Sequence, residues 1–336
     1  MHPPTSDDLG GYMKFPVSLA ALLMWAIFGS VAPAWAAETA AAPDARHAAD
    51  ATCTKCHDES ESKPILAIYQ TPHGVTGDGR TPSCQSCHGA SKDHLAGSTQ
   101  GKGPRPAPDV IFGSKHTTAG YVPSSPTAQT EACLTCHKDG LRMHWPGSQH
   151  QTNDVACANC HTVHAAKDPM LVKTEQPTVC FNCHKEQRAQ IKQISTHPLD
   201  VGKMACSDCH NPHGSAGPKL LAKNTVTETC FTCHAEKRGP FLWEHQPVTE
   251  DCTNCHTPHG SNITPLLKSR PPFLCDECHD GPHNSQAPYG TAVAGIQGGG
   301  AVKGGNPNAN AVGRACMNCH VMVHGSNSPT GAFLHH

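Results

Sequence analysis

All twenty cysteines of the chain fall in ten copies of one pattern, Cys-x-x-Cys-His, with none left over. The pairs are Cys53/Cys56, Cys84/Cys87, Cys133/Cys136, Cys157/Cys160, Cys180/Cys183, Cys206/Cys209, Cys230/Cys233, Cys252/Cys255, Cys275/Cys278 and Cys316/Cys319. The histidines that follow are His57, His88, His137, His161, His184, His210, His234, His256, His279 and His320. Residues i and i+3 share one face of a helical turn, so both thiols of a motif point the same way. The histidine at i+4 then projects over the same spot. Two thiols that meet the vinyl groups of one haem edge, with an imidazole placed to ligate iron, are the attachment signature of c-type haem. Cys-x-x-Cys also builds zinc and thioredoxin-like redox sites, but neither requires a histidine directly after the second cysteine. A disulfide scaffold would not need the fixed spacing. Ten covalently attached haem c groups are therefore expected.

That expectation explains the composition. The chain has 336 residues and 26 histidines, yet only 5% aromatic residues, too few for an ordinary core of this length. With one haem for about every thirty residues, porphyrin replaces side-chain packing, and the chain should not fold without it. No stretch shows sustained strand alternation. The expected fold class is a multihaem cytochrome: short α-helices and irregular loops wrapped around a chain of ten c-type haems, with little or no β-sheet.

The N-terminal segment reads as an export signal. Lys14 precedes an apolar run from Phe15 to Val31, and Ala34-Trp35-Ala36 is a small-x-small cleavage pattern, which gives a signal peptide over residues 1–36. Residues 37–50 are Ala-rich and expected to be flexible. Five two-haem units follow, at 51–94, 133–179, 180–229, 230–274 and 275–336. A Gly/Pro/Ser/Thr-rich linker, 95–132, separates the first two, and a Gly-rich loop, 285–314, lies inside the fifth.

Each haem iron has a second axial position, and its occupant separates a wire from an enzyme. With His2, His335 and His336 set aside at the ends, thirteen histidines remain. Two per unit supply the ten required: His73 and His94, His150 and His164, His197 and His213, His245 and His259, His283 and His324. His47, His116 and His144 fall outside this scheme. His164, His213 and His259 each stand three residues behind a proximal histidine. That is too close to reach the opposite face of the same haem, so each is expected to ligate a neighbouring one. Two imidazoles per iron leave no room for substrate. A multihaem reductase would need an open site, often marked by a variant motif such as Cys-x-x-Cys-Lys, and none is present. No catalytic residues are expected. Charge points away from nucleic acid: each ferric haem with its propionates adds about −1, taking a mature chain near −1 to about −11.

The run from Cys230 through Phe231-Thr232-Cys233-His234 to Trp243-Glu244-His245 resembles the MtrA/DmsE family of periplasmic decahaem cytochromes. So do the Cys-x-x-Cys-His-x-Pro-His-Gly blocks at Cys206 and Cys252. The resemblance covers nearly all of the mature chain and is densest from Cys133 to Gly260. It implies a slender haem wire with every iron bis-histidine ligated, located in the periplasm and held at the outer membrane by a β-barrel porin of the MtrB type. It implies electron transfer between periplasmic or inner-membrane cytochromes and an extracellular multihaem cytochrome or an iron-bearing mineral. The alternative is a soluble periplasmic shuttle feeding a terminal reductase. His116, His144 and the long loop 285–314 depart from the family pattern.

Overall fold

The computed structural model describes residues 45–61, 63–75, 80–97, 105–115, 117, 120–279, 316–329 and 331–334. The export signal, the loop 285–314, His116 and His283 lie outside these residues. The described chain is built of short helices and turns with no sheet; four isolated β-bridges are its only extended pairings. No helix among the described residues is long and apolar enough to cross a membrane.

Each motif is one helical turn. In nine of them the histidine amide donates to the carbonyl of the first cysteine at 2.9–3.1 Å, and the tenth, around Cys84, lies within the helix Cys84–His88. This i→i−4 bond is what turns both thiols to one side. The motifs also alternate in how they are introduced. The first of each pair sits at the end of an α-helix: Ala45–Thr54, Pro126–Leu134, Gln176–Cys180, Val226–Phe231 and Phe273–Asp276. From the second unit on, the second of each pair is a single 3-10 turn: Cys157–Asn159, Cys206–Asp208, Cys252–Asn254 and Cys316–Asn318. The helices start where their sequences say they should. The Ser125 hydroxyl accepts from the Ala128 amide with Pro126 in the first turn, and the Thr225 hydroxyl accepts from the Glu228 amide.

Two stretches outside the five expected two-haem units make defined contacts. Residues 45–50, part of the segment read as flexible, open the first helix. Buried Asp50 fixes it, accepting from the Cys84 amide at 2.9 Å and the Tyr69 hydroxyl at 3.2 Å. Burial beside that carboxylate pushes the Tyr69 phenol up to about 12, so it stays protonated and donates. Within the linker, Asp109 accepts from the Ser91 amide at 2.8 Å and the Val110 amide donates to the His88 carbonyl at 3.2 Å. The linker thus packs back on the second motif.

Neighbouring units dock in a repeated way. The loop after each second motif lies against the segment after the first motif of the preceding unit. At Gly214 and Gly260 the approach is so close that a Cβ would collide with the carbonyls of His144 and Gln190. Ser195 and Ser261 exchange backbone bonds at 2.8 and 2.9 Å, and Trp243 and Ser326 do the same at 2.9 Å. Side chains contribute little to the interior. Among the described residues the buried apolar ones are Ile111, Trp145, Ala156, Met170, Ile191, Ala205 and Leu267, fewer than the buried polar ones.

Candidate functional site

The unit-to-unit docking brings histidines together in pairs. Nine proximal rings face a second imidazole with centroids 5.8–6.3 Å apart: His57–His94, His137–His73, His88–His164, His184–His150, His161–His213, His234–His197, His210–His259, His279–His245 and His256–His324. Two axial bonds of roughly 2 Å to one metal, along the ring axes, bring imidazole centres to about 6 Å. The gap therefore fits one haem iron, with the thiols of the proximal motif at its edge. Nine of the ten second histidines expected from sequence occupy these pairs; the tenth, His283, lies outside the described residues. His144 is exposed and outside the pairs, and His47 falls in the first helix.

Eight of the nine pairs join neighbouring units; only His57–His94 is internal. The exchange is reciprocal. Each unit lends its histidine between motifs to the first motif of the next unit, as His150 does to His184. It receives in return the histidine behind that unit's second motif, as His161 receives His213. His164, His213 and His259, placed by sequence on a neighbouring haem, face His88, His161 and His210. His324 repeats the pattern against His256.

The pairs are held by their other ring nitrogens. Among the described residues, eleven rings direct Nδ1 at an acceptor whose bond is resolved. Nine acceptors are backbone carbonyls: Val110 for His88, Pro106 for His94, Pro212 for His150, Ile65 for His164, Pro258 for His197, Lys219 for His210, Val323 for His245, Pro265 for His256 and Phe333 for His320, at 2.6–3.0 Å. The other two are carboxylates, Glu61 for His57 at 3.1 Å and Asp168 for His161 at 2.6 Å. A proton fixed on Nδ1 leaves Nε2 free to ligate. Sequence could not find these acceptors, because a carbonyl belongs to every residue type. Several come from the residue just before the neighbouring unit's own distal histidine, Pro212, Pro258 and Val323, so one contact orients one ring and seats another. Burial lowers the pKa of His88, His137, His210, His259 and His324, and takes His213 to about 4. Each of these shifts favours the neutral imidazole, the form that binds metal.

The sulfurs form a continuous series. Within each unit the first cysteines of the two motifs interact: Cys53 with Cys84, Cys133 with Cys157, Cys180 with Cys206, Cys230 with Cys252 and Cys275 with Cys316. Between units the second cysteines are neighbours: Cys87 with Cys136, Cys160 with Cys183, Cys209 with Cys233 and Cys255 with Cys278. These electrostatic interactions link the motifs in sequence order from the first to the last.

Two cysteines depart from the equivalence that ten identical motifs lead one to expect. Cys56 and Cys319, the second cysteines of the first and last motifs, are exposed and stand outside the sulfur series. The reason is their place in the array. A second cysteine meets its counterpart across a junction between units, and Cys56 and Cys319 lie outside the four junctions among the described residues. Cys136, Cys183, Cys233 and Cys278 are exposed too, but each sits at a junction and has a neighbouring sulfur. Cys56 and Cys319 therefore mark the two ends of the series that the described residues form. Their motifs are otherwise formed like the rest: the Cys56 and Cys319 amides donate to the Cys53 and Cys316 carbonyls at 3.1 Å.

Comparison with known proteins agrees with this geometry. Residues 197–239 and 245–284 match the doubled CXXCH motif family, and residues 84–176 match the cytochrome c-type protein NrfB-like family. The chain is 43% identical over 289 residues to the multiheme cytochrome MtrA of Shewanella baltica, covering 84% of this chain and 80% of that protein. It is 30% identical over 125 residues to the cytochrome c-type protein NrfB of Escherichia coli, covering 32% of this chain and 66% of that one. The motifs bind c-type haem covalently, and the protein carries electrons rather than catalysing a reaction. Motif, reciprocal histidine exchange and extended similarity place this chain in the MtrA family of multihaem cytochromes.

Proposed function

We propose that the chain holds ten haems, each between two histidines, as a linear wire that conducts electrons across the outer membrane inside a porin. The unbroken series of neighbouring cysteines from Cys53 to Cys316 carries this reading. Attached haem edges that follow the cysteines give one path with no branch and two ends, at Cys56 and Cys319. The haems supply a one-electron couple. The protein supplies spacing, through the motif turns, and saturation, through the paired histidines. Nine pairs are those described above; His283, the tenth second histidine expected from sequence, lies outside the described residues. Bis-histidine ligation without methionine keeps potentials low.

The export signal expected from sequence supports a periplasmic location. The MtrA resemblance supports an MtrB-type β-barrel as the sheath, with periplasmic or inner-membrane cytochromes at one end and an extracellular multihaem cytochrome or iron mineral at the other. Affinity purification of the tagged holoprotein from the host's outer-membrane fraction is expected to bring down a β-barrel protein in equal amount. Recovery of the cytochrome alone from the soluble periplasm would overturn the conduit reading in favour of a shuttle.

A further inference from the structure

The Nδ1 acceptors are not equivalent. Among the described residues nine are neutral carbonyls, and of the two carboxylates Glu61 is solvent-exposed beside a half-exposed His57. Asp168 is different: its side chain is 15% exposed, and Oδ2 lies 2.6 Å from His161 Nδ1. Oδ1 accepts from the Met170 amide at 3.1 Å and the Thr162 amide at 3.3 Å, which fixes the carboxylate in place. Across the pair, the buried His213 Nδ1 has no hydrogen-bond partner.

Internal repeats supply the control. The loop behind His161 reads Asp168-Pro169, and the corresponding loops behind His210 and His256 read Gly217-Pro218 and Thr264-Pro265. There the acceptors are the Lys219 and Pro265 carbonyls, both at 3.0 Å. Gly217 could not carry a carboxylate, because a Cβ would collide with the carbonyls of Lys223 and Leu221. The repeat therefore offers one place where a neutral acceptor is exchanged for a carboxylate.

We propose that Asp168 is a positioning and redox-tuning residue that holds the His161/His213 haem at a lower reduction potential than the His210/His259 and His256/His324 haems. The inference rests on the bis-histidine reading of these pairs. A carboxylate that accepts from Nδ1–H draws the proton toward itself and makes the imidazole a stronger donor, which favours ferric iron over ferrous. Its negative charge acts in the same direction. On the other axis the His213 ring makes no bond through Nδ1 and has the Arg142 guanidinium near it, a positive charge that the Asp168 carboxylate outweighs because it bonds its imidazole directly. The step affected is a one-electron reduction in which no bond forms or breaks. The fourth site of the wire is then reduced after the sixth and the eighth.

The test is a spectroelectrochemical titration of the full holoprotein and its Asp168→Asn variant, with haem counted per chain and the oxidised spin state recorded. The asparagine carbonyl replaces the carboxylate with the kind of acceptor the other repeats use. About a tenth of the haem absorbance is expected to move to higher potential, by tenfold or more in its reduction equilibrium, which is 59 mV or more for a one-electron couple. Asp168→Glu, which keeps the charge, should retain a low-potential fraction that Asn loses. If the Asn chain loses haem, Asp168→Ser serves instead. Superimposable titrations of the wild type and a fully loaded, low-spin Asn or Ser variant would overturn the proposal. A high-spin signal already present in the wild type would instead count against the ligation on which it rests.

Discussion

Production without haem attachment is expected to leave this chain unfolded. Only seven apolar side chains are buried among the described residues. Each such burial is worth about 1.5–3 kcal/mol, whereas ordering the backbone costs about 1–2 kcal/mol for every residue fixed. Hydrogen bonds do not close that difference, because an unfolded chain makes them with water. The missing apolar surface is porphyrin. Histidine exchange makes the dependence cooperative, since eight of the nine pairs join neighbouring units and no internal unit keeps both of its own. Circular dichroism of chain made in cells that lack the haem-attachment machinery should show little helix and no cooperative melt. Rapid degradation by added protease should accompany it, with the holoprotein resistant. A cooperative thermal transition in the haem-free chain would mean that the polypeptide has a core of its own.

His259→Gly is expected to open one iron and to do so on the haem attached at Cys206/Cys209. His259 stands three residues from His256, yet its ring faces His210 at 6.1 Å. The variant should convert one haem per chain to a high-spin ferric form that binds carbon monoxide when reduced, and added imidazole should restore the low-spin state. Replacing Cys206 and Cys209 as well should abolish the new signal, whereas replacing Cys252 and Cys255 should leave it. The reverse outcome would place His259 on the haem of its own motif and would dissolve the reciprocal exchange between units. End-to-end electron transfer should slow in the same variant, because the opened iron gains water and a different potential.

Much of this site is legible in sequence because haem attachment is a local event. A helical turn places Cys206, Cys209 and His210 whatever surrounds them, so the motif specifies attachment by itself. What the motif does not specify is its neighbours. Cys56 and Cys319 read like every other second cysteine, and only the stacking of units leaves them outside the sulfur series. Distal histidines are legible as a set, since nine of the ten selected by count occupy pairs. Their partners are a long-range property, fixed by the docking of Gly214 on His144 and Gly260 on Gln190, and no local spacing encodes it. Asp168 escapes sequence reading for a related reason. An aspartate seven residues after His161 has no meaning until the turn at Pro169 brings its carboxylate back to the ring. Asp50 likewise reads as part of a loose Ala-rich segment, and only the approach of Cys84 and Tyr69 gives its carboxylate a function. The absence of sheet is readable from the lack of strand alternation. The structured part of the linker is not, because its contacts are to the motif behind it.

Low-temperature EPR of the fully oxidised holoprotein, with spins integrated against haem content, tests the saturated wire most directly. Ring planes within 9–23° of each other in five pairs, including His161–His213 and His256–His324, should give rhombic low-spin signals. The near-perpendicular pairs His137–His73 and His184–His150, at 78° and 72°, should give strongly anisotropic ones. All ten haems should integrate as low-spin. A high-spin ferric signal amounting to one haem or more per chain would contradict two-histidine ligation throughout and would return an open, reactive iron to consideration.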